Sequence, residues 1–458
     1  MVTRLDEPTL RVAIGGRLNA GKSTLVNALI GQRLAATDAT ECTKLVTWFR
    51  NHHRAVVRID PREGPPYELP LAPGGTVPAD LGRPAGRIES VTVAVPNARL
   101  ARYTLVDTPG LDALSGLDEM SMAALRACDA LVFVMPHPGS REREALETLR
   151  ATASTVGLSV ANAVGVLSRV DQLGDGRSDP WPTARRVAER YAAQLRMSVV
   201  DVLPVVGLLA QTACGDDFTE ADAAAIRTIA SATLPGERRG MLLSADLFVA
   251  DTDSPVGAVA RQRLVALLGL HGIREALSLV DTGVIGAHAL LTELAERSGL
   301  GALRAVIEER FVPAVDVLRA ASALAALDLI AWSDGPSQQR QAAAALRATL
   351  AELQTHPAVR LVAVGMALAD LNLAEAPFDE TTQRDALDLV RGRTDAERVG
   401  LPLDAAGLAF EIAAAADERI RRWRALDVPH LRAVRGCVRL VREAFESIYY
   451  SASHRSTW

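Results

Sequence analysis

Short apolar runs recur along the first 210 residues, separated by longer stretches whose apolar positions return every three or four places. The runs at 10–14 (LRVAI), 45–49 (LVTWF), 55–59 (AVVRI), 90–95 (SVTVAV), 103–107 (YTLVD), 130–135 (ALVFVM), 163–168 (AVGVLS) and 202–207 (VLPVVG) are mostly rich in Val, Ile and aromatics, and read as strands. Helical windows begin at Lys22, near Met120 and near Arg141, with another over 182–198. Strands alternating with helices predict a central, mostly parallel sheet covered on both faces. The hydrophilic stretch 61–90, with PREGPPYELP and LAPGGTVPAD, reads as a surface excursion between two strands.

Beyond about residue 215 the strand signals stop, and windows at 218–232, 258–279, 287–311 and 313–331 carry helical spacing. Breaks at Asp334-Gly335-Pro336, His356-Pro357, Ala376-Pro377, Leu401-Pro402 and Val428-Pro429 divide the rest. They leave segments of roughly 20 residues, or ~30 Å each as helix.

Composition narrows the class. The chain has 458 residues, 49% hydrophobic and 23% charged, enough for about two to four domains. Its net charge of -5 and aromatic content of 4% argue against a general nucleic-acid coat. Cys42, Cys128, Cys214 and Cys437 lie far apart with no CxxC pair, so neither a disulfide framework nor a zinc site is expected, and a reducing cytoplasm fits. The first residues, with Asp6 and Glu7, carry no signal-peptide pattern, and no apolar run reaches the ~18 residues of a membrane span. Any membrane contact is therefore expected to be peripheral. Only Lys22 and Lys44 are lysines among the 50 basic side chains, which makes the place of Lys22 informative.

That place is Gly16-Arg17-Leu18-Asn19-Ala20-Gly21-Lys22-Ser23, a GxxxxGK[ST] motif after a strand and before an amphipathic run opening with Ser23 and Thr24. Backbone N–H groups of such a loop cradle phosphates, with Lys22 neutralising charge and Ser23 offering a hydroxyl to Mg²⁺. Asp107-Thr108-Pro109-Gly110 puts a carboxylate at a strand end, where Asp107 orients Mg²⁺ through water and the Gly110 N–H senses the γ-phosphate. Between them, 37–44 (TDATECTK) is the expected switch, from which a hydroxyl completes the metal shell; Thr43 is favoured over Thr40 by its place before the strand. Ser168-Arg169-Val170-Asp171 ends a buried strand, and a carboxylate there accepts both guanine N1–H and N2–H₂, which points to GTP and GDP. Ser168 and Arg169 depart from the usual [NT]KxD: serine is the poorer brace, while arginine can stack on the base. In 204–208 (PVVGL), Val206 and Gly207 offer backbone N–H groups towards guanine O6.

These segments in this order (GRLNAGKSTLVNALIG, ATDATECTKLVTWFR, VDTPG, LSRVD, PVVGLLAQTA) mark a GTPase of the translation-factor-related class and resemble the bacterial dynamin-like proteins. Within these, the resemblance is to the isoniazid-inducible group of mycobacteria, C-type branch. It extends through SADLFV, GLHGIREAL and ERSGLGALRAVIEERF, the last like the closing helix of that family's GTPase domain. It implies an α/β P-loop GTPase domain over 1–312 with a helical insertion at about 215–296, then an elongated all-α neck and trunk over 313–458. It also implies a cytoplasmic protein on the inner face of the plasma membrane, touching anionic lipid. Its partners are a second GTPase head in a homodimer or another dynamin-like chain in a hetero-oligomer. The family usually carries helical sequence ahead of the phosphate loop, which here opens at Gly16; the neck is expected either from the C-terminal helices alone or in a chain shortened or mis-assigned at its start.

No water-positioning glutamine is evident: Leu111 follows DTPG, and Leu18 fills the loop position of the catalytic glutamine in eukaryotic dynamins, so slow basal turnover is expected. Arg17 is a candidate arginine finger, in cis or across a head-to-head dimer, or a solvated side chain. Eight arginines between Arg419 and Arg442 read as the solvated face of a helix pair rather than a lipid patch; lipid contact is sought instead at the turns near 371–378 and 399–403. The competing class is a soluble regulatory or assembly GTPase binding protein or RNA, or a weakly catalytic subunit. Against RNA stands the absence of a GXXG-bearing KH segment.

Overall fold

The computed structural model describes residues 9–17, 19–35, 45–109, 119–136, 161–173, 179–196, 198–331, 337–353, 356–370, 378–402, 409–426 and 432–455. The expected helix near Arg141 lies outside them.

Among the described residues, nine strands form one sheet: β1 Leu10–Gly16, β2 Thr47–Asn51, β3 Val56–Pro61, β4 Tyr67–Leu69, β5 Ile88–Val95, β6 Tyr103–Asp107, β7 Ala130–Met135, β8 Ala163–Leu167 and β9 Val202–Pro204, in the order β4-β3-β5-β2-β6-β1-β7-β8-β9. β1 runs parallel to β6 and β7, and β8 and β9 continue parallel. β2 is parallel to β5 but antiparallel to β6, and β3 is antiparallel to both β5 and β4. β7 and β8 are buried at every position and apolar throughout, as strands covered on both faces must be. The excursion 61–90 is more ordered than its Pro and Gly content suggests, because Tyr67–Leu69 pairs with Val57–Ile59 and the Tyr67 hydroxyl donates to Leu81 O at 2.6 Å.

The helices over this region are α1 Lys22–Ile30, α2 Glu119–Arg126, α3 Trp181–Gln194, α4 Gly207–Cys214, α5 Glu220–Ala232, α6 Pro235–Met241, α7 Ala245–Ala250, α8 Ala258–Asp281, α9 Ala287–Arg297 and α10 Leu300–Ala305, followed by a π-helical turn Val306–Phe311. Alternate residues of β1 and β7 feed two cores. Val12, Ile14, Val132 and Val134 pack with Leu25 and Leu29 of α1 and with Leu303 and Phe311. Ala13, Leu131 and Phe133 pack with Tyr191 of α3, Leu209 of α4 and Leu264 of α8.

The single helix expected over 287–311 is broken. Gly299 sits at φ 78, and a Cβ there would lie 2.3 Å from Pro204 O. Beside it, Ser298 O accepts from Val206 N at 2.9 Å. Gly299→Ala is expected to cost about 3 kcal/mol, from the left-handed backbone and the carbonyl clash together, and to weaken GDP binding by loosening Val206. Urea denaturation and GDP titration of the variant measure both.

The remaining helices are α11 Val315–Ala331, α12 Ser337–Leu353, α13 Pro357–Asp370, α14 Glu380–Arg391, α15 Asp395–Arg398, α16 Ala409–Arg424 and α17 Arg432–Arg455. Val364, Phe378, Leu389, Ile412, Trp423, Val441 and Phe445 form their own core. The arginine run of α16 and α17 is largely paired: Arg422 with Asp385 (2.5 Å) and Glu418 (2.8 Å), Arg419 with Asp385 (3.4 Å), Arg421 with Asp417 (2.7 Å), and Arg424 with Glu446 (2.8 Å). It cross-links the bundle. α11 is pinned to the sheet by a buried pair in which Arg319 donates from Nε and Nη2 to Asp129 (3.1 and 2.8 Å) and from Nη2 to Thr9 O (2.6 Å). Among the described residues, no helix is long and apolar enough to cross a membrane.

Candidate nucleotide site

The site lies at the C-terminal ends of β1, β6, β7 and β8, where the strand ends of an open α/β sheet leave a crevice. Gly16 closes β1 at φ 141, and a Cβ there would stand 2.3 Å from Val134 O, so only glycine lets the loop leave so close to β7. The loop turns through Asn19, at φ 58, into α1. Lys22 is 8% exposed; its Nζ donates to Gly16 O (3.2 Å) and Arg17 O (2.9 Å), which holds the ammonium inside the loop.

Ser23 Oγ donates to Asp107 Oδ2 at 2.8 Å, joining α1 to the end of β6. Asp107 Oδ1 is shielded from solvent and has no hydrogen-bond partner among the described residues. Burial pushes this carboxyl up to about 6, against the opposing effects of Lys22 and the Ser23 hydrogen bond. An orphaned carboxylate oxygen beside a hydroxyl is a hard-oxygen donor set that suits Mg²⁺, which takes few protein ligands and fills its octahedron with phosphate and water. A metal held there would need Asp107 ionised, so protons would compete with it below about 6. The apparent Mg²⁺ affinity of the GDP complex is expected to hold above pH 7 and to fall by up to about tenfold per pH unit below 6. In the metal-free protein the sign reverses: the ionised carboxylate opposes folding above about 6, and stability gained from its protonation grows as pH falls towards 3.8. Calorimetric Mg²⁺ titrations between pH 5 and pH 8 check the first effect.

A cavity of about 500 Å³ runs from this loop to the base side. Asn19, Ala20, Gly21 and Thr24 line one end, and Ser168, Arg169, Asp171 and Gly207 the other. Arg169 has φ 55, and its Nη2 donates to Asn19 O at 2.6 Å, tying the base loop to the phosphate loop. Ser168 Oγ instead donates to Met135 O at 3.0 Å, so the bracing between loops falls to the arginine. Val206 corrects the sequence expectation: its N–H is committed to Ser298 O and its side chain is buried in the core, so the cavity wall there is Val205, Gly207 and Leu208. Thr40, Thr43, Gly110, Leu111 and Leu18 lie outside the described residues. Arg17 is half-buried, and its carbonyl serves Lys22.

Asn27 was missed by the motif reading. Almost wholly buried in α1, its Oδ1 accepts from Leu34 N (2.9 Å) and Ala35 N (2.7 Å) while Nδ2 donates to Ala35 O (3.0 Å). It fixes the residues from which the expected switch departs. The signal was an amide among Leu25, Val26, Ala28, Leu29 and Ile30, a helix with no second polar position on that turn.

A family model described as a 50S ribosome-binding GTPase matches residues 11–162. The isoniazid-induced protein IniC of Mycobacterium tuberculosis (strain ATCC 25618 / H37Rv) is 37% identical over 338 residues, spanning 71% of this chain and 67% of IniC. A bacterial dynamin-like protein of Nostoc punctiforme is 26% identical over 144 residues, 29% of this chain and 21% of that protein. A solved structure of an oligomerised bacterial dynamin pair aligns with 99% of this chain and 70% of its own, at 14% identity and a TM-score of 0.36. A phosphate loop, its partner carboxylate and a helical half, in a sequence sharing more than a third of its aligned positions with IniC over two thirds of IniC's length, make this chain a member of the bacterial dynamin-like GTPase family.

Proposed function

We propose that the protein binds GTP and GDP with Mg²⁺, hydrolyses GTP slowly, and uses the nucleotide cycle to assemble on and remodel or maintain a membrane. The observation that carries the chemistry is the continuous cavity from Asn19 to Asp171, with the unpartnered Asp107 oxygen beside Ser23. In this reading Gly16, Asn19, Ala20, Gly21 and Thr24 cradle the phosphates, and Lys22 neutralises charge that grows on the leaving oxygens. Ser23, Asp107 and Thr43 hold Mg²⁺, which when bound polarises the phosphoryl oxygens; Gly110 reads the γ-phosphate. Asp171 selects guanine, Arg169 keeps the base loop on the phosphate loop, and Gly207 closes the base pocket.

The domain division follows the cores. The two sheet cores draw on residues up to Val315, whereas the third core begins at Leu361, which supports a GTPase domain over 1–312 with a helical insertion at about 215–296 and a neck and trunk over 313–458. Family membership supports association through GTPase heads or with another dynamin-like chain, and peripheral contact with anionic lipid on the inner face of the plasma membrane. Phosphate release from GTP and ATP by the purified protein tests the activity: slow release from GTP alone is expected. Arg17→Ala separates two roles for that side chain: a finger loses about 10³-fold in turnover, whereas a solvated arginine loses none.

A further inference from the structure

Helices α1 and α4 lie side by side, and both open on the nucleotide cavity, α1 through Thr24 and Leu25 and α4 through Gly207 and Leu208. Their far ends are tied together by side chains that do not line it. Arg99 Nη1 donates to Ile30 O and to Cys214 O, each at 3.3 Å, and so bridges the last turns of the two helices. Gln211, only 4% exposed, stands on α4 between two donors from the α1 side. In one orientation its Oε1 accepts from Asn27 Nδ2 at 3.4 Å; with the amide turned over, the oxygen accepts from Arg33 Nε at 3.1 Å and Nη2 at 3.3 Å. The second orientation makes two charge-assisted bonds and is the stronger. Arg33 Nε also pairs with Asp217 Oδ2 at 2.5 Å, just past the end of α4. Residues 33–35 are thus held from two sides, by Asn27 on α1 and by Gln211 on α4.

We infer that Gln211 is a positioning residue, which passes the seating of the base against α4 to the chain leaving α1 and so sets the rate of GTP hydrolysis without touching the nucleotide. α4 is an eight-residue helix, and Gln211 lies three places beyond Leu208, within one turn, so the cavity wall and the grip on Arg33 move as one piece. The helix is closed at both ends, by Ala210 N to Val206 O at 2.9 Å and Gly215 N to Gln211 O at 3.0 Å. A base lying against Gly207 and Leu208 limits the movement of α4, and the amide extends that limit to Arg33, Leu34 and Ala35. The inference rests on the nucleotide reading of the cavity, in which Thr43 on the segment after Ala35 holds the metal. Slack at Ala35 then misplaces a reacting group and costs turnover rather than ground-state affinity.

The test reads hydrogen exchange over 31–35 in the full chain with Mg²⁺, with and without GDP, beside a GDP titration and GTP turnover. GDP is expected to slow exchange at Leu34 and Ala35, although neither lines the cavity. Gln211→Leu keeps the bulk of the side chain and loses its bonds; it is expected to bind GDP within about twofold of wild type, to lose that slowing, and to turn over saturating GTP about tenfold more slowly. Gln211→Glu, whose carboxylate accepts from Arg33 and Asn27 together, is expected to retain both the slowing and the turnover. GDP binding to the wild type that leaves exchange at Leu34 and Ala35 unchanged overturns the inference, whatever the variants do. So does a Gln211→Leu chain with wild-type turnover, or one whose GDP affinity falls as far as its turnover, which would make Gln211 part of the binding wall. A wild-type chain that takes up no GDP overturns the nucleotide reading and this inference with it, a result distinct from uptake without a change in exchange.

Discussion

Lys22→Ala is expected to lower GTP affinity by about 10³-fold or more, roughly 4 kcal/mol. The ammonium is nearly buried and held by two loop carbonyls, so its charge acts on the phosphates with little solvent screening. No other lysine can take over, since the remaining one is Lys44. The same substitution strips a donor from Gly16 O and Arg17 O, which costs about 1 to 2 kcal/mol of stability, so the variant remains folded while losing nucleotide. Fluorescent GDP titration beside a urea denaturation curve separates the two effects. A variant that unfolds more readily yet still binds nucleotide at the wild-type level would remove Lys22 from the site.

Asp171→Asn is expected to exchange base preference, with GTP affinity falling about 10²- to 10³-fold and xanthosine triphosphate becoming the better ligand. Asp171 lies in the 3₁₀ turn Val170–Gln172 at the cavity's base end. A carboxylate accepts two hydrogen bonds from guanine; an amide offers one donor in their place, which leaves a guanine donor facing a donor and gives xanthine O2 a partner. ATP binds neither form. The two departures from the usual motif leave this prediction intact, because Arg169 holds the loop to Asn19 O while Ser168 stays with Met135 O. Competition of the three nucleotides against labelled GDP gives the ratios directly.

Much of the site was legible because its chemistry is local. The phosphate loop needs residues 16–23 in one stretch, Asp107 closes an apolar strand and Asp171 follows one by four residues, so spacing alone marks them as candidates. The central strands were legible for a related reason: full burial leaves continuous apolar runs, as in ALVFVM. What escaped depends on contacts far along the chain. The three-residue β4 has no pattern of its own and exists through pairing with β3. The break at Gly299 is imposed by Pro204, some 95 positions earlier, and the clamp of Asn27 on Leu34 and Ala35 needs the folded path of the segment after α1. Arg319 reads as one arginine among 48, and only the fold brings it to Asp129. The sequence reading of Val206 failed in the same way, since nothing near it announces that Ser298 takes its N–H.

The most direct test of the account is the fraction of purified protein that pellets with anionic liposomes in GTP, in GDP and without nucleotide, with GTP turnover read in the same tubes and Lys22→Ala alongside. Pelleting that rises with GTP, accompanied by faster turnover and absent in Lys22→Ala, is the predicted result. Clear GTP binding with no nucleotide-dependent pelleting would contradict the membrane role and leave a GTPase switch acting away from lipid.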